Sequence, residues 1–301
     1  MNRTLIIIKL AVWSVIGLFA TVLLIRFISV GAFFNFQESK DSAGFSEIKS
    51  QTLTEDINRI DIIWAKGEVE IFKSDNEETM VVQKARNGSK IEREMIVDLI
   101  GDKILIDQNI KKWRFWLLNS DANRQTTHLE LYLPEKVYDT VKIRNVSGDV
   151  FWKNAVCKRL EIESVSSDIY LSGHADETDL KTVSGAVKAD SFICPIIKSK
   201  TVSGDLRITG EFNNINLETV SGDAQINSST MLNAFRSKSV SGDVNLHLPE
   251  NDGFEFSFKK VSGSFWTDFE TTMQRDTFTY GNGNARLNSQ TVSGDVSIRK
   301  R

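Results

Sequence analysis

Histidine and cysteine, the residues that most often bind transition metals or act as bases and nucleophiles, are scarce in this chain. The 301 residues include three histidines and two cysteines. No H-x-x-H, C-x-x-C or H-E-x-x-H spacing occurs, and neither a G-x-S-x-G turn nor a phosphate-binding loop is present. The sequence therefore predicts no catalytic, cofactor-binding or metal-binding residues, and we expect a protein that is not an enzyme.

Proline is also rare, and neither sign of charge dominates. Two of the three prolines follow leucine, in Leu133-Pro134 and Leu248-Pro249, where a proline would end a strand. The formal net charge of −3 arises from interspersed acidic and basic residues, which argues against a nucleic-acid partner. Because no helical spacing of apolar residues occurs after residue 36, the sequence predicts an all-β fold there.

A tetrapeptide, Val-Ser-Gly-Asp, recurs through the second half of the chain at intervals of 18 to 21 residues, with one last interval of 31. Serine keeps its place in every copy, whereas Ser167, Ala186 and Ser264 replace the glycine or the aspartate in single copies. A period of this length is typical of a solenoid, in which each unit buries its apolar face against its neighbours. We therefore predict a parallel β-helix-like solenoid. The eight copies begin at Val146, Val165, Val183, Val202, Val220, Val240, Val261 and Val292.

Each repeat should contain two short strands joined at a corner. Apolar residues lie five and three positions before the valine and four and six positions after it, as in Val150 and Trp152. The odd step from the third position before the valine to the valine predicts a bend or bulge there. The glycine suits a corner that needs a positive φ, and the serine hydroxyls are expected to reach the next coil.

The repeat aspartates should stack about 5 Å apart, where carboxylates repel unless they are hydrogen-bonded, solvated or bridged by a cation. One interpretation is a row of turn aspartates that accept backbone N–H groups. A second is a weak Ca²⁺ ladder, although the toxin-type Ca²⁺ pattern G-G-x-G-x-D does not occur. A third is a glycan-active enzyme, which would need paired carboxylates such as Asp205 and Asp223.

Cys157 and Cys194 each lie eleven residues after a repeat valine, so they share a position two coils apart. Two coils correspond to roughly 10 Å, which exceeds the reach of a disulfide. We expect two unpaired, buried thiols.

An apolar run over residues 5–25 is long enough for one membrane crossing. Its single charge, Lys9, lies near one end, and Arg3 favours a cytoplasmic N-terminus with the rest of the chain outside. A cleaved signal peptide ending near residues 30–32 is the alternative, but the run is longer than such peptides require. We predict an uncleaved anchor in a single-pass protein of the cell membrane.

The chain should divide into four segments. Residues 1–36 form the N-terminal transmembrane anchor, and the polar residues 37–56 form a linker. Residues 57–145 read as alternating strands that supply the N-terminal coils and a cap. Residues 146–301 form the repeat solenoid, and two strand-like runs around Gly281-Asn282-Gly283 predict a C-terminal hairpin cap.

Basic and aromatic residues alternate over residues 111–116, with the sequence KKWRFW. Such a segment can pack its rings on the cap of the solenoid. It can also contact lipid or an anionic wall polymer such as teichoic acid.

Taken together, the in-register Val-Ser-Gly-Asp repeats, the Leu-Pro strand ends and the Tyr280-Gly-Asn-Gly segment resemble the bacterial putative-adhesin β-solenoid family of uncharacterised function. The resemblance covers roughly residues 57–298. With the N-terminal span added, the chain is similar to the membrane-anchored LiaG-type proteins of Gram-positive bacteria. The resemblance implies a right-handed β-helix-like fold and membrane attachment, and it assigns no catalytic residues.

We therefore expect a membrane-anchored, non-enzymatic binding or structural protein at the cell envelope, linked to the envelope stress response. Its partners would be a cell-wall polymer or envelope-stress membrane proteins. The alternatives are a scaffold or regulator that is tethered to the membrane but faces the cytoplasm, and the glycan-active enzyme.

Overall fold

The computed structural model describes residues 44–87, 94–109 and 126–301, and the regular elements in these ranges are all β-strands. Strands β1 to β8 span Phe45–Leu53, Arg59–Lys66, Val69–Ser74, Thr79–Arg86, Ile96–Ile100, Lys103–Asp107, Thr127–Pro134 and Val137–Ser147. Strands β9 to β16 span Val150–Lys153, Val156–Ser166, Ile169–Ser184, Val187–Ile193, Ile196–Ser203, Leu206–Glu211, Asn214–Ser221 and Ala224–Ser228. Strands β17 to β24 span Ala234–Ser241, Val244–Leu248, Gly253–Lys260, Phe265–Thr267, Thr272–Gln274, Thr277–Gly281, Ala285–Ser293 and Val296–Lys300.

Two parallel ladders of strands run along the molecule, and each coil contributes one strand to each ladder. Sheet 1 has the order β6-β2-β8-β10-β11-β13-β15-β17-β23-β19. Sheet 2 has the order β7-β3-β9-β11-β12-β14-β16-β18-β24-β20. The all-β, solenoid-like repeat fold is therefore confirmed, with two strands in each unit.

The coils do not stack in chain order at either end. Strand β2 lies between β6 and β8, and β23 lies between β17 and β19. The coil of Val292 is thus inserted between the coils of Val240 and Val261. This insertion explains the last repeat interval of 31 residues, because the chain first builds the final coil and its cap and then returns.

The predicted hairpin around Gly281-Asn282-Gly283 was wrong in its pairing. Strand β22 pairs antiparallel with β19 and β21, whereas β23, which follows the turn, runs parallel to β17 and β19. The antiparallel hairpin that covers this end is therefore β21–β22. Pairing β23 with two parallel neighbours buries Leu287 in the core, which a surface hairpin would leave exposed.

At the other end of the stack, antiparallel strands β1, β4 and β5 close the two sheets. Strand β1 lies within residues 37–56, so much of that stretch is part of the fold and not a linker. Its sequence is polar because β1 is an edge strand that pairs only with β4, and its side chains are mostly exposed. In the described ranges, no helix is long and apolar enough to cross a bilayer. The apolar run at 5–25 and the segment at 111–116 lie outside the described residues.

The sequence predicts that the alternation of inward and outward side chains shifts just before the repeat valine. In the structure this shift occurs at the glycine instead. The residue before the valine points inward, as Asn145 and Ser164 do, and Val146 itself faces outward. Five positions separate Asn145 from the next inward residue, Val150, and Gly148 with φ 104° turns the chain within them. The inward polar side chain is held locally: the Thr219 hydroxyl donates to the carbonyl of Ser221 at 3.2 Å.

Cys157 and Cys194 are both free and buried, as the sequence predicts. Burial raises the pKa of Cys194 to about 11 from 9.0, and it raises the pKa of Cys157 further. The Cys194 thiol also contacts the Thr178 hydroxyl at 3.2 Å.

We expect both thiols to be inert in the folded protein, because a pKa raised by two units lowers the thiolate fraction about 100-fold before steric shielding is counted. Native full-length chain treated with a maleimide should gain no label, whereas the denatured chain should gain two. Labelling of the native chain at the rate of a free thiol would contradict the buried positions.

Candidate binding face

The repeat aspartates form a column in which each carboxylate accepts a backbone N–H from the next coil. The donor is always the residue at the aspartate position of that coil, so the column is a chain of identical contacts. The Oδ1···N distances are 3.2 Å for Asp149–Asp168, 2.8 Å for Asp168–Ala186, 3.0 Å for Asp205–Asp223, 2.9 Å for Asp223–Asp243, 2.8 Å for Asp243–Asp295 and 2.6 Å for Asp295–Ser264.

This geometry matches the interpretation in which backbone N–H groups satisfy the aspartates. Asp205 and Asp223, the pair that the enzymatic alternative would need, are both engaged in this way. Ser264 lies in the last coil, where an aspartate would meet no further N–H group. Burial raises the pKa of Asp149, a half-buried member of this column. In the described ranges, no three His, Cys, Asp or Glu side chains are placed to hold a metal ion.

Glycines stack beside the aspartates and allow the coils to approach closely. A Cβ built on Gly222 would lie 2.3 Å from the carbonyl oxygen of Gly204, and one on Gly242 would lie 2.2 Å from that of Gly222. The expected serine ladder is mostly absent. All eight repeat serines are described, and Ser166 alone has a hydroxyl that bonds to another coil, at 3.4 Å from the carbonyl of Val146. Serine at this place points outward at the corner instead.

The outer face of sheet 1 carries charges that pair with one another across coils. The Lys142 ammonium lies 3.0 Å from Glu161, Arg159 lies 2.9 Å from Glu177, and Lys198 lies 2.5 Å from the same Glu177. These half-exposed pairs satisfy each other, so this face offers few free polar groups to a ligand.

The first half of sheet 2 carries two stacked pairs of rings that lysines cover. Phe72 stacks on Tyr132 with centroids 5.1 Å apart, and Phe151 stacks on Tyr170 at 4.8 Å. The Lys153 ammonium lies 4.5 Å from the Phe72 centroid and 4.8 Å from that of Phe151. Because Lys153 is also paired with Glu70 at 2.6 Å, these ring faces are already occupied by the protein itself.

The second half of sheet 2 has a polar outer surface, which we call the polar face. Its side chains are exposed or half-buried, except Ser297, which is buried. Four neighbouring strands, β14, β16, β18 and β24, place polar side chains in register in three columns. The aspartate column forms one border, and amides, hydroxyls, one histidine and two arginines form the rest. The polar face consists of Asp205, Arg207 and Thr209; Asp223, Gln225 and Asn227; Asp243, Asn245 and His247; and Asp295, Ser297 and Arg299.

Few contacts tie these side chains to one another. Asn227 donates to the Thr209 hydroxyl at 3.3 Å, and the Ser297 hydroxyl donates to Asn245 at 2.6 Å. The expectations drawn from the sequence do not include this surface. A partial signal is present in the printed sequence, because the fifth position after the valine is aromatic in the first two repeats, whereas it is an amide or a hydroxyl in three later ones, Gln225, Asn245 and Ser297.

Trp266 stands at the distal end of the polar face. It lies on β20 in register with Ser297 of β24, which in turn is in register with Asn245. The side chain is 54% exposed. Its neighbour Phe265 points inward, where its ring centroid lies 4.5 Å from that of Phe256, so the alternation of the strand directs Trp266 outward.

The three histidines lie in different places and form no common site. His128 pairs with Glu68 at 3.1 Å, and His174 pairs with Asp176 at 3.0 Å. His247 lies on the polar face, and its Nδ1 is buried without a partner in the described part of the chain. None of them is hydrogen-bonded to a serine or cysteine, the arrangement in which a histidine activates such a nucleophile.

Comparisons with known proteins bear on the family. Among solved structures, the chain is similar to a putative adhesin from Bacteroides fragilis, with 14% identity, a TM-score of 0.44, and coverage of 87% of this chain and 100% of that chain. A putative adhesin from Parabacteroides distasonis shows 10% identity, a TM-score of 0.46, and coverage of 85% and 98%. A putative lipid binding protein from the same species shows 11% identity, a TM-score of 0.48, and coverage of 84% and 96%.

No functionally curated protein matches the sequence. The family described as Toastrack DUF4097 matches residues 57–299, which include both sheets and all eight repeats. Since this match spans most of the chain, the protein belongs to the Toastrack DUF4097 family.

Proposed function

We propose that this chain is a non-enzymatic binding protein of the cell envelope, held in the cytoplasmic membrane by residues 5–25 with its coils on the outer side. The polar face carries the proposal. Four coils keep polar side chains in register over a broad surface, and the only carboxylates on it serve the backbone of the next coil. Such a surface suits many weak, repeated contacts.

The entry point of the chain supports an upright stack on the membrane. The first described strand, β1, pairs with β4, and β4 pairs with β7, the first strand of sheet 2. Asn109 and Thr126, which flank the basic-aromatic segment at 111–116, adjoin the same end coil of β6 and β7. Both the predicted anchor and the segment at 111–116, for which lipid contact is one of the two interpretations, therefore join the stack at one end, and Trp266 lies at the other.

The link to envelope stress depends on the resemblance to LiaG-type proteins. The partners are a cell-wall polymer or membrane proteins of the stress response, and their contact surface is the polar face.

Labelling of an introduced thiol tests the orientation. Ser221 is exposed at a corner, and its hydroxyl makes no hydrogen bond, so Ser221→Cys should fold normally. In intact cells that produce the full chain, a membrane-impermeant maleimide should label this variant as fully as it does after the membrane is permeabilised.

The wild-type chain is the control, because its two thiols are buried. Labelling that appears only after permeabilisation would contradict the outward orientation and would favour the cytoplasm-facing scaffold. The binding part of the proposal needs a separate measurement: purified full-length chain in detergent should cosediment with insoluble cell-wall material or with isolated envelope membranes. Failure to sediment with either would contradict a binding role.

A further inference from the structure

We infer that the polar face binds a neutral glycan strand, with Trp266 stacked against a sugar ring at its distal end. This inference rests on the proposed function, because it names the ligand class of the same surface. It assigns to Trp266 the role of anchor and to the amide and hydroxyl columns the role of hydrogen-bonding partners.

Trp266 presents an exposed aromatic ring at the end of the polar face. Leaving a tryptophan 54% exposed to water costs free energy. Exposed aromatic side chains are more frequent at recognition surfaces than on the rest of a protein's surface. Other outward rings on sheet 2 are covered, as Phe72 and Tyr170 are by Lys153 and Lys188. Trp266 has no ring or cation against it in the described ranges, so its face is free to stack on an apolar face of a ligand.

The hydrogen-bonding groups of the polar face suit sugar hydroxyls, which both donate and accept. The Gln225 amide offers both a donor and an acceptor, Asn227 keeps its oxygen and one N–H group beside its bond to Thr209, and Asn245 keeps its NH2 group because its oxygen accepts from Ser297. The aspartates use Oδ1 for the neighbouring N–H, as Asp223 does for Asp243 at 2.9 Å, so the second carboxylate oxygen is left to accept from a ligand. Both roles are thus present in every row between β16 and β24.

The charge of the polar face selects against polyanions. Four carboxylates, on Asp205, Asp223, Asp243 and Asp295, stand against two guanidinium groups, on Arg207 and Arg299, which leaves a formal charge of −2. A phosphate-rich polymer would meet the acidic column along its whole length and be repelled. A neutral polysaccharide pays no such cost.

The spacing of the rows also fits a polymer. Neighbouring coils are about 4.8 Å apart, which is similar to the length of one pyranose unit in an extended glycan. The same columns recur in β14, β16, β18 and β24. A glycan that lies along the column would therefore meet one row of side chains per sugar and end on Trp266.

Titration of the full chain in detergent tests this inference. The probe is a β-1,4-linked hexamer of N-acetylglucosamine, and binding is followed by saturation-transfer NMR, which detects weak complexes. We expect the wild-type chain to bind, Trp266→Ala to weaken binding about fivefold or more, as loss of a stacking ring does for other ring-shaped ligands, and Trp266→Phe to lose less. The double variant Gln225→Ala/Asn245→Ala should also weaken binding.

Met273→Ala is the matched control. Met273 is 63% exposed at the same end of the molecule but lies on β21, on the side of sheet 1, so this variant should bind like the wild type. Equal binding by wild type and Trp266→Ala would overturn the inference, as would tighter binding of polyglycerol phosphate than of the hexamer. A Trp266→Ala variant that converts a dimer to a monomer, without any glycan binding by the wild type, would make Trp266 an interface between copies and also overturn it.

Failure of the inference and failure of the proposed function give different results. If the wild-type chain binds no glycan but Ser221→Cys is labelled from outside and the chain cosediments with envelope material, only the glycan inference is wrong. If the chain is labelled only from inside the cell, the envelope function itself is wrong.

Discussion

Gly222→Ala is expected to lower the free energy of unfolding by about 3–5 kcal/mol. Gly222 has φ +131°, a backbone conformation that L side chains rarely adopt, and such strain costs on the order of 1–3 kcal/mol. The new Cβ would also lie 2.3 Å from the Gly204 carbonyl oxygen. Because that atom belongs to the backbone of the neighbouring coil, relief requires the two coils to separate, and overpacking of this kind costs about 1–3 kcal/mol more.

Gly101→Ala separates these two causes. Gly101 also has a positive φ, +62°, but a Cβ there meets nothing within 4 Å. We expect this substitution to cost only about 1 kcal/mol, the usual penalty of the left-handed region. Thermal unfolding of the full chain in detergent, followed by circular dichroism, measures both variants. Equal losses would mean that the close stacking of the glycines is not what constrains the corner.

Hydrogen exchange locates the damage. A solenoid is held by contacts between neighbouring coils, so a defect at one coil loosens the coils beside it before the rest. Amides of β14 to β16 should therefore lose protection first in Gly222→Ala. Uniform loss over both sheets would show instead that the stack unfolds as a single unit.

The glycine at this corner also shows how much of the fold could be predicted from sequence. The period, the two strands of each unit and the inward pairs such as Val150 and Trp152 follow from alternation alone. The position at which the inward and outward alternation shifts could not be predicted from this pattern. It depends on Gly148 adopting φ 104°, and the sequence allows a bulge before the valine just as well.

The order of the coils could not be predicted either. Each repeat presents the same pattern of backbone donors and acceptors, so the coil of Val292 could stack on that of Val261 or on that of Val240. The outcome is decided by the cap: β22 pairs antiparallel with β19 and thereby occupies the side of β19 that a later coil would need. This competition between distant strands for pairing with β19 cannot be recognised from the sequence of a single repeat.

The polar face was missed for a related reason. Outward positions in a solenoid are free of core constraints, so a single repeat such as the one that contains Asp223 and Gln225 reads as ordinary solvated surface. The surface becomes evident only when the pairing of β14, β16, β18 and β24 is known and Trp266 is placed on the neighbouring edge strand β20. The aspartate column, in contrast, was identified from sequence, and its use as an N–H acceptor was among the expected alternatives.

Two buried tryptophans differ in whether the indole N–H has a hydrogen-bond acceptor. Trp64 and Trp152 are both fully buried in the same core. The Trp64 Nε1 group donates to the carbonyl of Thr127 at 2.7 Å. The Trp152 Nε1 group has no acceptor in the described part of the chain. The pair therefore compares the same side chain with and without a hydrogen bond.

We expect Trp64→Phe to lower the free energy of unfolding by about 3–4 kcal/mol and Trp152→Phe by only about 1–2 kcal/mol. Both substitutions leave a cavity where the second ring was, which costs a similar amount in each. Trp64→Phe also leaves the Thr127 carbonyl without this donor inside the core, and such a loss costs about 1–3 kcal/mol. Trp152→Phe instead removes a buried N–H that has no protein partner, which offsets part of its cavity cost.

The comparison also reports on the end of the stack where the chain enters. Thr127 begins β7, the first strand of sheet 2, and its hydroxyl accepts from Gln108 at 2.7 Å. The Gln108 side-chain oxygen in turn accepts from the backbone N–H of Ala65 at 2.7 Å. It takes the role that a backbone carbonyl of a further coil would have. Trp64→Phe should therefore lower hydrogen-exchange protection in β2 and β7, whereas Trp152→Phe should lower it in β9 and β11. Equal free-energy losses, or a larger loss for Trp152→Phe, would mean that the Trp64 hydrogen bond does not hold this end together.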